Sequence, residues 1–300
     1  MSTPATLIQA MKSGDKRALA RCITVVENEL EGFTPILQSL NFSKPTPVIG
    51  ITGPPGAGKS TLISSLIQKY TAAGKSIGIL AVDPTSPFTH GSLLGDRLRM
   101  SEHFLNDQVF IRSLATRGSL GGLSAKAIEV TDIMRSFGFD LIIIETVGVG
   151  QSEVEIAGLA DLTILVLVPE SGDDVQTLKS GIMEIADIFV VNKSDRAGAD
   201  IFVKNLLALV QSKAESKAPV IKTSATKAEG IDELLDAVFL LWRNESNSKR
   251  SWLLTEKAYR LICNQRMKDV SRKALETKLL SELDKPDFNL YSFISQFSQR

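Results

Sequence analysis

A lysine and a serine behind three closely spaced glycines carry the first chemistry in this sequence. Between Ile49 and Thr61 the chain holds G-x-x-x-x-G-K-[ST], with Gly53, Gly58, Lys59 and Ser60 at the required positions. Such a loop must end a strand, wrap its backbone around a phosphate and open a helix whose unpaired N–H groups face the anion. Gly53, Gly56 and Gly58 permit that close approach. Lys59 would reach the β- and γ-phosphates as a point charge, and the Ser60 hydroxyl would coordinate Mg²⁺. The whole loop, Gly53, Pro54, Pro55, Gly56, Ala57, Gly58, Lys59, Ser60 and Thr61, is the expected nucleotide cradle. Thr61 fits helix packing better than a ligand role.

Further acidic and amide groups fall in the order such a site needs. Glu145 ends the apolar run from Leu141 and is expected to be the Walker B acid, polarising a Mg²⁺-bound water; the Gly148 amide would sense the γ-phosphate. Asp83 and Asp96 lie just beyond another apolar run, where a mobile switch with a Mg²⁺ ligand or a water-positioning carboxylate belongs; an Asx-turn or helix cap accounts for them equally well. Asn192-Lys193-Ser194-Asp195 matches N-K-x-D. The Asp195 carboxylate can accept from guanine N1–H and N2–H₂, donors that adenine does not present in that arrangement, so mispairing would leave a charge unsatisfied. Asn192 and the Lys193 stem would brace the loop and stack on the base, and the backbone of Ser224, Ala225 and Thr226 would contact guanine O6.

These groups need strands that end at one edge. Apolar runs beginning near Pro47, Ser76, Val109, Asp140, Leu162, Ile188 and Val220 read as strands, the continuous ones buried on both faces. Helical spacing follows the P-loop, runs from about Ala125 to Phe137, and resumes from Gly230 to Trp242. The fold class is therefore α/β: a P-loop NTPase with a mostly parallel central sheet flanked by helices, plus helical N- and C-terminal extensions. Three segments are expected: a helical preface over 1–44, a GTPase domain over 45–244, and a helical arm over 245–300 that would dimerise. Val109 to Arg112 predicts only a short strand, followed by a glycine-rich stretch, Arg117 to Ser124, that is either a phosphate-facing turn or a hinge.

Composition excludes several classes. Lys plus Arg total 34 and Asp plus Glu total 34, so no global field steers nucleic acid or an anionic membrane to the protein. Cys22 and Cys263 are the only cysteines and lie far apart, against a disulfide framework or a zinc site. No apolar stretch reaches the ~20 residues needed to span a bilayer, and no signal peptide is evident, so the expected location is cytoplasmic.

The longer strings resemble the MeaB/ArgK family, the methylmalonyl-CoA mutase-associated G proteins. The resemblance rests on the stretch from Asp83 to Phe88, that from Gly95 to Met100, that from Arg117 to Leu123, and that from Glu145 to Glu153. It implies a GTPase of the class related to nickel chaperones, homodimeric through its C-terminal helices, that assists and protects an adenosylcobalamin-dependent acyl-CoA mutase and gates cofactor loading. It maps Ser60, Asp83, Asp96 and Glu145 onto Mg²⁺ and catalytic acidic positions, and Gln176 and Lys179 onto a switch that responds to the partner. His90 stands where the resemblance expects glycine and reads as a surface residue.

Val149 follows Gly148, so no Ras-like glutamine sits there, and unassisted turnover should be slow. Partner binding would supply Lys179, Arg97 or a repositioned Gln151. Three other readings compete. A nickel-insertion metallochaperone would want a His- or Cys-rich site, against just His90 and His103 here. An amino-acid transport ATPase or kinase conflicts with N-K-x-D. A nucleotide-gated scaffold would bind GTP and barely hydrolyse it.

Overall fold

Asp15 caps the longest helix of the N-terminal preface. Its carboxylate accepts from the amides of Arg17 (2.7 Å) and Ala18 (3.2 Å), satisfying donors that a helix start leaves without partners. The helices are α1 (Pro4–Lys12), α2 (Lys16–Glu27) and α3 (Phe33–Gln38). The last begins only after Gly32, whose φ of 91° lies in the left-handed region. Met11, Leu19, Cys22, Ile23, Val26 and Ile36 are buried among them. This computed structural model describes residues 3–83, 100–115, 126–146, 156–170, 182–212, 218–243, 247–267, 269–283, 285 and 288–295.

Strands and helices then alternate: β1 (Val48–Thr52), α4 (Lys59–Ala72), β2 (Ile77–Asp83), β3 (Val109–Ala115), α5 (Ala127–Phe137), β4 (Leu141–Thr146), β5 (Leu162–Leu167), α6 (Ile182–Ile185), β6 (Ile188–Val191), α7 (Ala199–Ser212), β7 (Val220–Lys222) and α8 (Ile231–Arg243). The strands form one sheet in the order β3-β2-β4-β1-β5-β6-β7, and every pairing is parallel. All residues of β1, β4, β5 and β6 are buried, as covered parallel strands require. Ile49, Ile51, Leu62, Ile63 and Leu66 join residues of β2, β4, β5 and α8 in one core, while Phe189, Val191, Leu206 and Val210 belong to a second.

The order of the sheet decides where a ligand goes. From β1 the chain passes to β2 on one side, and after β5 it continues outward on the other, so β1 lies at the point where the winding reverses. A crevice opens beyond the carboxyl ends of strands at such a point. Ile51 pairs with Glu145, and Thr52 with Leu165, which brings the P-loop and Glu145 to the same edge on neighbouring strands. The Thr52 and Thr146 hydroxyls meet at 3.1 Å just there.

By internal contacts the chain divides into two units, Met1–Leu253 and Leu254–Arg300. Helix α9 (Asn247–Arg266) crosses that division; α10 (Arg272–Glu282) and α11 (Leu290–Ser295) belong to the second unit. Ser271 caps α10 by accepting from the Ala274 amide at 3.3 Å. The second unit leaves Leu254, Tyr259, Ile262, Leu280, Leu283 and Tyr291 exposed.

β3 runs three residues beyond the expected strand, through Ser113, Leu114 and Ala115. Arg112 breaks the apolar pattern, yet it stays in the strand because Glu27 and Thr24 of α2 receive its guanidinium. Thr61 is exposed on α4. Its expected packing role is therefore not what the fold gives it.

Candidate nucleotide site

The P-loop conformation can be built only from glycine at two positions. Gly53 has φ +141°, and a Cβ there would meet the Val166 carbonyl oxygen at 2.1 Å; Gly58 has φ +84°, and a Cβ would meet Asn192 Nδ2 at 2.5 Å. Gly58 is the N-cap of α4 and offers no side chain to the first-turn amides. That leaves the positive end of a 14-residue helix open to an anion. Lys59, 7% exposed, donates to the Gly53 carbonyl at 2.7 Å and the Pro54 carbonyl at 3.2 Å. Its ammonium thus lies across the mouth of the loop, on carbonyls that phosphate oxygens can replace.

Ser60 and Glu145 come together across two elements. The Ser60 hydroxyl donates to Glu145 Oε1 at 2.8 Å, and Glu145 is 6% exposed at the end of β4. Two hard oxygen donors at the edge of a phosphate loop suit Mg²⁺, which takes a few protein oxygens together with phosphate oxygens and water. Asp83 ends β2, its backbone paired in register with Ala115. Asp96, Gly148, Gln151 and Lys179 lie outside the described residues, as do His90, Arg97, Gln176 and the glycine-rich stretch from Arg117 to Ser124.

Asn192 joins its own loop to the P-loop and to the loop after β7. It is 2% exposed, donates from Nδ2 to the Ala57 carbonyl at 2.9 Å, and accepts at Oδ1 from the Thr223 hydroxyl at 3.1 Å and the Ala225 amide at 3.2 Å. A buried amide with all these bonds made is a rigid brace. Lys193, at φ 55°, sends its ammonium to the Gly56 carbonyl at 2.8 Å. The stem of that lysine therefore crosses from the N-K-x-D loop to the P-loop.

Asp195 is the group the base would meet. Ser224 donates from its hydroxyl to Oδ1 at 3.1 Å, and Lys227 Nζ approaches Oδ2 at 3.4 Å. A backbone amide, then the Ser224 hydroxyl and the Lys227 ammonium, hold this carboxyl below its ordinary pKa, so it is ionised and acceptor-only, as recognition of guanine N–H donors demands. In the stretch expected to contact guanine O6, Ala225 is buried and Thr226 exposed, and the Ala225 amide and carbonyl are taken by Asn192 and by the Ser65 hydroxyl of α4 at 2.7 Å. Sequence reasoning missed the Ser224 hydroxyl as a partner of Asp195, and it missed Lys227 altogether. The first could have been sought from the hydroxyl's place beside the expected O6 contact; no motif marks the second.

The fold and this site define a P-loop nucleotide-binding protein with a mostly parallel sheet. A family model described as methylmalonyl Co-A mutase-associated GTPase MeaB matches residues 19–278. A Pyrococcus horikoshii protein named for GTPase activity is 45% identical over 299 residues, covering 95% of this chain and 94% of its own. The GTPase ArgK of Escherichia coli is 36% identical over 249 residues, with 79% and 75% covered, and the mitochondrial methylmalonic aciduria type A homolog of Mus musculus is 37% identical over 257 residues, with 77% and 61% covered. A crystal structure described as an LAO/AO transport system kinase superposes with a TM-score of 0.65 at 23% identity, covering 99% of this chain and 97% of that one, which shows the shared fold. The chain belongs to the MeaB family and is a GTPase. Among the described residues no three His, Cys, Asp or Glu side chains gather as a metal site, and no helix is long and apolar enough to cross a membrane.

Proposed function

We propose that this GTPase selects guanine through Asp195 and acts as a chaperone of an adenosylcobalamin-dependent acyl-CoA mutase, gating cofactor loading and protecting the mutase. The observation that carries the nucleotide reading is the Asn192 brace, which fixes the Asp195 loop to the P-loop and to Ala225. The mutase reading is supported by the family's description and by the mouse relative's name.

Each step of binding follows from this chain's own groups. Amides of the P-loop and of the first turn of α4 receive the phosphates, and Lys59 exchanges the Gly53 and Pro54 carbonyls for phosphate oxygens. Ser60 and Glu145, with Asp83 and Asp96, would hold Mg²⁺, which neutralises charge on the β- and γ-phosphate oxygens when bound. Asp195 orients the base, and the backbone of Ser224 to Thr226 would contact guanine O6. Unassisted hydrolysis is slow because Val149 stands where a water-orienting glutamine would serve; the mutase completes the site through Lys179, Arg97 or Gln151.

The test is GTP hydrolysis with and without a candidate acyl-CoA mutase, with ATP and Asp195→Ala as controls. Stimulation of about tenfold or more, absent with ATP and weakened by Asp195→Ala, is the expected result. Equal use of ATP with no response to any mutase overturns the reading.

A further inference from the structure

The loop after β7 presents a lysine to the carboxylate that the base needs. Ser224 and Glu229 close this loop on itself, Ser224 N to Glu229 O at 3.1 Å and Glu229 N to Ser224 O at 3.2 Å. Within it, a short 3-10 turn spans Ala225–Lys227 and ends at Ala228 in the left-handed region, φ 55°. Asn192 pins the Ala225 amide and Ser65 the Ala225 carbonyl. Lys227 is thus displayed from a loop held at several points, and its ammonium lies 3.4 Å from Asp195 Oδ2.

Both oxygens of Asp195 are engaged, Oδ1 by the Ser224 hydroxyl and Oδ2 by Lys227. Guanine presents two donors, N1–H and N2–H₂, to this carboxylate. A carboxylate oxygen has lone pairs enough to keep the neutral Ser224 hydroxyl beside a base N–H. An ammonium on Oδ2 is different: it competes with the base for the same charge and for the space in front of it. The other lysine of the site, Lys193, is held away on the Gly56 carbonyl.

We infer that Lys227 tunes the affinity of the guanine site, an internal cation that pairs with Asp195 and must leave that carboxylate before guanine can pair. The inference rests on the assignment of Asp195 as the guanine acceptor. Lys227 and Asp195 have 54% and 32% of their side-chain surface exposed, so their pair is a solvent-screened one and its displacement costs little. The lysine tunes affinity and makes it salt-dependent. It does not close the site.

The experiment measures guanosine and GDP affinity for the full chain and for Lys227→Met, which keeps the apolar stem, across ionic strength. Guanosine isolates the base from the general attraction of a lysine for phosphates. Lys227→Met should bind guanosine about two- to fivefold more tightly at low salt, and the gain should shrink in high salt, where the wild-type pair is already screened. Lys227→Arg, which keeps the charge, should behave as wild type. In an Asp195→Asn background the Lys227→Met change should have no effect, because there is no carboxylate to release. Unchanged or weaker guanosine binding by Lys227→Met, or the same gain in the Asp195→Asn background, overturns the role of Lys227 while leaving the guanine site standing. If Asp195→Asn alone leaves GDP affinity unchanged, the guanine assignment falls and the role of Lys227 with it.

Discussion

Ser60 and Glu145 touch across 2.8 Å, and the two roles of Glu145 can be separated there. Glutamine keeps the shape and an acceptor for the Ser60 hydroxyl but removes the charge. Glu145→Gln should therefore fold normally and bind GDP without Mg²⁺ as wild type does, while hydrolysis with Mg²⁺ falls by about a hundredfold or more. Single-turnover hydrolysis alongside a Mg²⁺-free GDP titration reads both; undiminished hydrolysis would remove Glu145 from the chemistry. Residues of this kind were legible in the sequence because backbone geometry dictates them: Gly53 and Gly58 are the only residue type their φ values and neighbours allow, and Lys59, Ser60 and Glu145 follow at fixed places. The N-K-x-D tetrapeptide also marked the loop proposed to meet the base. It did not show what Asn192 binds, since Ala57, Thr223 and Ala225 arrive from other parts of the chain. Lys227 was invisible for the same reason, as its partner lies on the loop after a different strand.

At the scale of elements, Asp140 fastens the amino ends of the sheet opposite the nucleotide edge. Oδ1 accepts from Lys44 at 2.9 Å, in the connector before β1, and Oδ2 accepts from the Ser76 amide at 2.8 Å and hydroxyl at 2.9 Å, just before β2. Burial would raise the Asp140 carboxyl, but the Ser76 and Lys44 bonds outweigh it and hold the pKa below its ordinary value. A carboxyl depressed by folding binds its proton more weakly folded than unfolded. Its contribution is therefore present above an unfolded pKa of about 3.9 and is lost as pH falls through the folded value. Asp140→Asn should lower stability at pH 7 by on the order of 1 kcal/mol, a modest figure because both partners are partly exposed. Urea midpoints measured from pH 7 downward should show the two proteins converging below about pH 4; a gap that persists undiminished in acid would mean the charge is not what Asp140 contributes. Sequence patterning located most strands because β1, β4, β5 and β6 are buried throughout and largely apolar. It stopped β3 at Arg112, because the acid that makes an arginine acceptable there, Glu27, belongs to a helix 85 residues earlier. Pattern reading is local, and this pairing is not.

For the whole molecule, the division of labour follows from where the apolar surface lies. Every described group of the nucleotide site belongs to the unit Met1–Leu253. The unit Leu254–Arg300 contributes none of them, yet leaves Leu254, Tyr259, Ile262, Leu280, Leu283 and Tyr291 exposed. Balanced charge, 34 basic against 34 acidic residues, provides no net repulsion to keep such surfaces apart. Exposed apolar side chains concentrated in one small helical unit mark an association surface, and two-fold pairing is the commonest way for identical chains to cover one. The expectation that the C-terminal helices dimerise the protein then takes a testable form. Sedimentation should give a dimer for the full chain and a monomer for a chain ending after Arg243, the last residue of α8. GDP affinity of the shortened chain should stay within about twofold of the original, because Lys59, Asn192, Asp195 and Ser224 keep all the partners described for them. A shortened chain that still sediments as a dimer would place the interface in the first unit. A full chain that is monomeric up to high concentration would remove dimerisation altogether.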